Sequence, residues 1–171
     1  MRFVVFGAVG FGIGGAIGFV AFLLIPVGGA VGGASLGLAL KDRRRAVILA
    51  LLGALGLSVG VLATLTFASL LNYAWGPMGA IVGAAVGASL GVAFWDWRRF
   101  VTLTVVGSAG FGVGLLAGNL LPWDSLPSVV VRFSLGISIV VAGAIGGASL
   151  GATLGYLEHH ELASERRPRV R

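Results

Sequence analysis

Three serines occupy the same place in three copies of one pentapeptide. Gly33-Ala34-Ser35-Leu36-Gly37 recurs as Gly87-Ala88-Ser89-Leu90-Gly91 and again as Gly147-Ala148-Ser149-Leu150-Gly151. Ser35, Ser89 and Ser149 are the sharpest chemical signal in the chain. Hydroxyls brought together by a repeat can line one constriction and hold a small solute by hydrogen bonds. The plainer reading is that each bonds back to a carbonyl four residues earlier, or across to a neighbouring helix.

Other chemistry is sparse. His159 and His160 lie between Glu158 and Glu161. Adjacent side chains on a helix point about 100° apart, so the pair is a poor chelate. Gly10-Phe11-Gly12-Ile13-Gly14-Gly15 has a superficial likeness to a nucleotide loop, but it lies inside an apolar run with no strand before it. There is no cysteine, which excludes disulfides, thiolate metal sites and thiol nucleophiles. No Asp, Glu, Lys or His falls in the middle of an apolar run. A charge there costs about 2.5–3.5 kcal/mol on insertion scales and normally marks a function. Its absence argues against a proton-driven transporter, an ion pump, an axial haem ligand and the acid–base pairs of hydrolytic enzymes. No cofactor, no metal and no enzymatic activity are expected.

The elements that carry the serines read as membrane spans. Hydrophobic residues make up 57% of the 171 and charged residues 11%, where a soluble domain carries about 25% charged. Phe3 to Leu40 holds no charge. As one helix it would be about 57 Å long, nearly twice the hydrocarbon thickness, so it must fold back. Pro26, followed by Gly28 and Gly29, is the natural corner. Met1 to Pro26 reads as a retained first helix, because its apolar run exceeds that of a signal peptide. The pattern predicts an all-α integral membrane protein with six transmembrane helices, at about 3–24, 27–40, 46–71, 78–94, 100–120 and 128–157. The second, being short, is expected to run on into the basic cluster that follows. Residues 1–157 form one domain, and residues 158–171 a polar cytoplasmic tail.

The basic residues set the orientation. Arg2, Lys41, Arg43, Arg44, Arg45, Arg98, Arg99 and the four arginines of the tail fall on one side of a six-span chain. That is eleven of the twelve basic residues, and only Arg132 lies opposite. The positive-inside rule makes this side cytoplasmic, with both termini on it. Trp95 and Trp97 would mark the inner interface, and Trp75 and Trp123 the outer one. Arg132 is expected to snorkel outward toward Asp124. The net charge of +6 thus reflects topology and not nucleic acid. Lys41, Arg43, Arg44, Arg45, Arg98 and Arg99 are expected to contact anionic lipid. Arg outnumbers Lys eleven to one, which suggests a GC-rich genome; the expected location is a bacterial inner membrane.

The odd helices repeat as well. Arg2-Phe3-Val4, Arg45-Ala46-Val47 and Arg99-Phe100-Val101 each open one, and Gly56 and Gly60 follow Arg45 at the offsets at which Gly110 and Gly114 follow Arg99. In the first copy Gly10 and Gly14 come three residues sooner. The chain reads as three parallel two-helix hairpins, about 1–44, 45–98 and 99–157, able to close around a pseudo-threefold axis. Glycines four apart share a helical face. They run as Gly10, Gly14 and Gly18; Gly29, Gly33 and Gly37; Gly79, Gly83, Gly87 and Gly91; Gly110, Gly114 and Gly118; and Gly143, Gly147, Gly151 and Gly155, with Gly56 and Gly60 on the third helix. Lipid is as apolar as leucine, so helices associate through close backbone contact, which such ridges allow. The pattern resembles, in packing style alone, the glycine zippers of unrelated membrane proteins such as mitochondrial inner-membrane translocase subunits.

Abundant packing signal beside scarce chemistry points to a structural or accessory subunit. Its partners would be membrane lipids and another membrane protein or a second copy of itself. The alternative is a channel or facilitator for a small neutral solute or ion along the pseudo-threefold axis, with the three serines as its constriction.

Overall fold

Without water to satisfy them, backbone amides must find partners within their own segment, and apolar runs do so as α-helices. The computed structural model describes residues 1–20, 24–67, 70, 74–120 and 134–165. Among them lie six helices: α1 (Arg2–Val20), α2 (Ile25–Ala39), α3 (Arg43–Phe67), α4 (Trp75–Val92), α5 (Trp97–Asn119) and α6 (Ser134–Glu165). Four are long and apolar enough to cross a membrane: α3, α4, α5 and the Gly136–His159 part of α6. The 15 residues of α2 rise about 22 Å. The outer loop at 121–127, Trp123, the approach of Arg132 to Asp124 and the tail arginines lie outside the described residues.

The helix starts differ from expectation for local reasons. Pro26 does not form the corner; it sits in the first turn of α2. Pro77 likewise falls in the first turn of α4. A missing N–H is no loss there, and the fixed φ suits a helix start. The second helix does not run on into the basic cluster. It ends at Ala39, and Lys41 turns into the left-handed region at φ 59°. Asp42 then accepts hydrogen bonds from the backbone N–H groups of Arg44 (2.9 Å) and Arg45 (3.2 Å), starting α3 three residues early. The same turn is built again between α4 and α5. Trp95 takes φ 50°, and Asp96 accepts from the Arg98 N–H at 3.0 Å. Each Asp also pairs with the arginine three residues on, Arg45 at 3.4 Å and Arg99 at 3.7 Å. At the far end α6 continues to Glu165, so the segment expected as a tail begins helical.

Each helix packs antiparallel on the next in sequence, and α6 packs back on α1. The six therefore close a ring. Up-and-down order places Arg2, the α2–α3 turn, the α4–α5 turn and the end of α6 at one end of it. Outward, α1 presents Val5, Val9 and Ile13, and α3 presents Leu51, Leu55, Val59 and Leu62, all exposed. Such stripes are a liability in water and the required surface in lipid.

The two tight turns are testable. Asp96→Ala removes a helix cap and should lower stability by about 1 kcal/mol. Lys41→Gly relieves a left-handed backbone and should raise it by a similar amount. Thermal melts of both variants in detergent would check the pair of opposite signs.

Candidate functional site

The ring is held at its seams by glycine. A Cβ built on Gly33 would strike the Leu49 carbonyl of α3, and one on Gly87 the Leu103 carbonyl of α5. Gly37 lies against Ala46 and Gly91 against Phe100. On α6, Gly143, Gly147 and Gly151 lie against the carbonyls of Phe11, Gly7 and Phe3 of α1, with Gly155 beside the Phe3 ring. These are the glycine faces of the even helices, each turned to the helix that follows, with α1 following α6. Of the glycines expected at contacts, Gly18 has only ordinary van der Waals spacing, 3.5 Å from Ile25.

The odd helices carry two glycine faces, one more than the spacing of four reveals. Gly10, Gly56 and Gly110 face Ser35, Ser89 and Ser149 on the next helix. Three residues earlier, Gly7, Gly53 and Gly107 face Gly147, Gly29 and Gly83 on the preceding one. Residues three apart sit about 60° apart around a helix. That angle lets one odd helix touch two neighbours. The signal lay in the sequence as Gly-x-x-Gly, in 7/10, 53/56 and 107/110, but the search for a period of four passes over it.

The three repeated serines are thereby placed. Ser35 Oγ donates to the Gly32 carbonyl at 2.7 Å, Ser89 Oγ to Val86 at 2.8 Å and Ser149 Oγ to Ile145 at 2.8 Å. Each is tucked against the glycine of its own hairpin, and none lines the axial cavity described below. The inward residue of each pentapeptide is the next one. Leu36, Leu90 and Leu150 are 0% exposed and belong to one cluster with Leu49, Leu103, Leu154, Val86, Phe11 and Phe111. The rings of Phe11 and Phe111 meet edge to face, 5.7 Å between centroids. Phe11 covers Gly32, and Phe111 covers Gly146. At the corresponding place on α3 and α4 stand Leu57 and Val86, a smaller residue facing a larger one. This apolar cluster closes the axis toward the end that carries the arginines.

Toward the other end the axis opens into a cavity of about 490 Å³. All six helices line it, among them Gly14 and Gly15 of α1, Val61 of α3, Val82 of α4, Leu115 of α5 and Ile139 of α6. Trp75, expected at an interface, lies on its wall. Among the described residues that line it, the one side-chain hydroxyl is that of Thr64, which already donates to the Gly60 carbonyl at 2.8 Å. Core voids cost about 24 cal/mol per Å³, so a space of this size held as vacuum would cost on the order of 10 kcal/mol. That rivals the whole stability of a typical domain.

Among the described residues, the arginine end carries charge without a built anion site. Arg43, Arg44 and Arg45 are exposed, and the Arg99 guanidinium lies over the Phe94 ring at 5.0 Å. Among the described residues no three His, Asp or Glu gather where they could hold a metal ion. The chain matches no family model, no curated protein and no solved structure.

Glycines in the ring should differ sharply in tolerance. Gly87→Ala drives a methyl into a backbone carbonyl and should cost about 1–3 kcal/mol. Gly12, whose Cβ would meet Ala144 Cβ at an ordinary 3.6 Å, should accept Ala with little change. Guided unfolding in detergent, followed by circular dichroism, would separate them.

Proposed function

We propose that the chain is a non-enzymatic membrane subunit with a structural or accessory role, built as six crossings in three like hairpins and held by glycine-zipper packing. The observation that carries this reading is the use of the glycines. They face other helices of the same chain, so the ridges serve to close the protein on itself. What remains for a neighbour is an outer face mainly of valine, leucine and isoleucine, with Phe6 and Phe67 among them. No ionisable side chain of the described residues is buried between the helices to suggest chemistry.

The threefold reading is supported by the matched contacts Gly10–Ser35, Gly56–Ser89 and Gly110–Ser149, and by the twin turns at Lys41-Asp42 and Trp95-Asp96. It is imperfect at one seam. Gly53 meets Gly29 and Gly107 meets Gly83, but Gly7 meets Gly147, one helical turn beyond the equivalent Gly143. Closing the ring absorbs this offset between α6 and α1. The positive-inside pattern supports placing the arginine end, with both termini, in the cytoplasm of a bacterial cell. Lys41, Arg43, Arg44, Arg45, Arg98 and Arg99 then lie at the level of anionic headgroups.

A facilitator along the axis is the weaker reading. The cavity favours it, but the cluster of Leu36, Leu90 and Leu150 blocks the axis with carbon, and the three serines point elsewhere.

The test is native mass spectrometry on the protein released gently from its own membranes. A constant-stoichiometry complex with another membrane protein, or a defined homo-oligomer, is expected. A lone monomer in repeated preparations would overturn the accessory role.

A further inference from the structure

We infer that the axial cavity is a binding site for a hydrocarbon chain, drawn from the membrane in which the ring sits. The inference rests on the membrane reading and is independent of any protein partner. Three observations meet in it. The cavity measures about 490 Å³, within the range of about 300–1,000 Å³ typical of small-molecule sites. Residues of all six helices line it. Apart from Thr64, its described walls are mainly glycine backbone and aliphatic or aromatic carbon.

The occupant follows from what the walls can and cannot bond. A buried water needs two to four polar partners. The Thr64 hydroxyl gives its proton to the Gly60 carbonyl at 2.8 Å and lies 3.4 Å from the Met78 carbonyl. Little capacity remains for a chain of waters. Ions are disfavoured more strongly, since none of the described residues that line the space is charged. A hydrocarbon chain asks for no hydrogen bond and gains dispersion contacts from every wall. Glycines 14, 15 and 28 leave flat stretches of wall between the larger side chains, which suits a slender chain. The Phe11–Phe111 pair forms the floor, because both rings border the cavity and the closed cluster alike. A chain in the cavity therefore stops at this floor on the side of the arginines.

The source can be a phospholipid acyl tail or a free apolar molecule such as an isoprenoid. Mass distinguishes them. The experiment is native mass spectrometry of the detergent-purified protein, followed by solvent extraction of whatever remains bound. Val82→Trp fills the cavity, and Ile139→Phe fills it from another helix should the first variant fail to fold. Val59→Trp makes the same change on the outer face, where Val59 is 51% exposed. The wild type and Val59→Trp are expected to retain one hydrocarbon-bearing molecule per chain. The filled variants should retain it about tenfold less, the ratio that 1.4 kcal/mol of lost binding produces. A two-tailed phospholipid mass assigns the acyl tail, and a smaller apolar mass assigns the free molecule. Equal retention in filled and outer-face variants, or no retained mass in the wild type, would overturn the site whatever the oligomeric state proves to be.

Discussion

The structure depends on one contact: backbone laid against backbone where a side chain would not fit. In water, an apolar helix face is pressed onto its neighbour by the solvent. In lipid that pressure is absent, and helices adhere through the number and closeness of their atomic contacts. Gly29 against Gly53, Gly83 against Gly107 and Gly7 against Gly147 each bring a carbonyl of one helix to the Cα of another. The rest follows from that closeness. Large side chains are pushed outward to lipid or inward to the axis, and the inner ones fill one end of the axis while leaving space at the other.

Why the ring closes, and does not continue as a row, is a matter of angle. An odd helix with glycines three apart offers two contact faces about 60° apart. Its two even neighbours must then both lie on its inner side. Repeating that bend three times returns the chain to its start. The last contact, α6 on α1, is made one turn out of register with the other two. The spacing from Arg2 to Gly10 is also three residues shorter than those from Arg45 to Gly56 and from Arg99 to Gly110. The shorter spacing and the shifted seam occur on the same helix, α1.

Much of this was legible in the sequence, and the rest was missed for definite reasons. The apolar runs gave the six helices, while glycines outside the intervals of four, such as Gly28 against Gly14, Gly32 under Phe11 and Gly146 under Phe111, also lie at helix contacts. The second glycine face of the odd helices was missed because Gly7, Gly53 and Gly107 fall outside that interval. Pro26 reads as a corner in the sequence, although a proline costs nothing in a first helical turn. Asp42 and Asp96 gave no sign as caps, because the basic residues around them dominate any reading of charge. The serines drew attention to the wrong residue of the pentapeptide. A hydroxyl stands out in an apolar chain, but it satisfies itself within its own helix, and the unremarked leucine beside it reaches the axis. The cavity had no signal at all, since it is the space left by residues on six helices.

Ring closure within a single chain is the claim on which the rest stands, and the absence of cysteine makes it directly measurable. Gly12 of α1 and Ala144 of α6 place their Cβ positions 3.6 Å apart, inside the range of about 3.5–4.5 Å that a disulfide requires. In the double variant Gly12→Cys/Ala144→Cys, mild oxidation in the membrane should form an intramolecular bond, seen as a faster-migrating monomer on a non-reducing gel. Failure to crosslink, or crosslinks only between chains, would mean that the first and last helices do not meet in one molecule, and would contradict the closed ring.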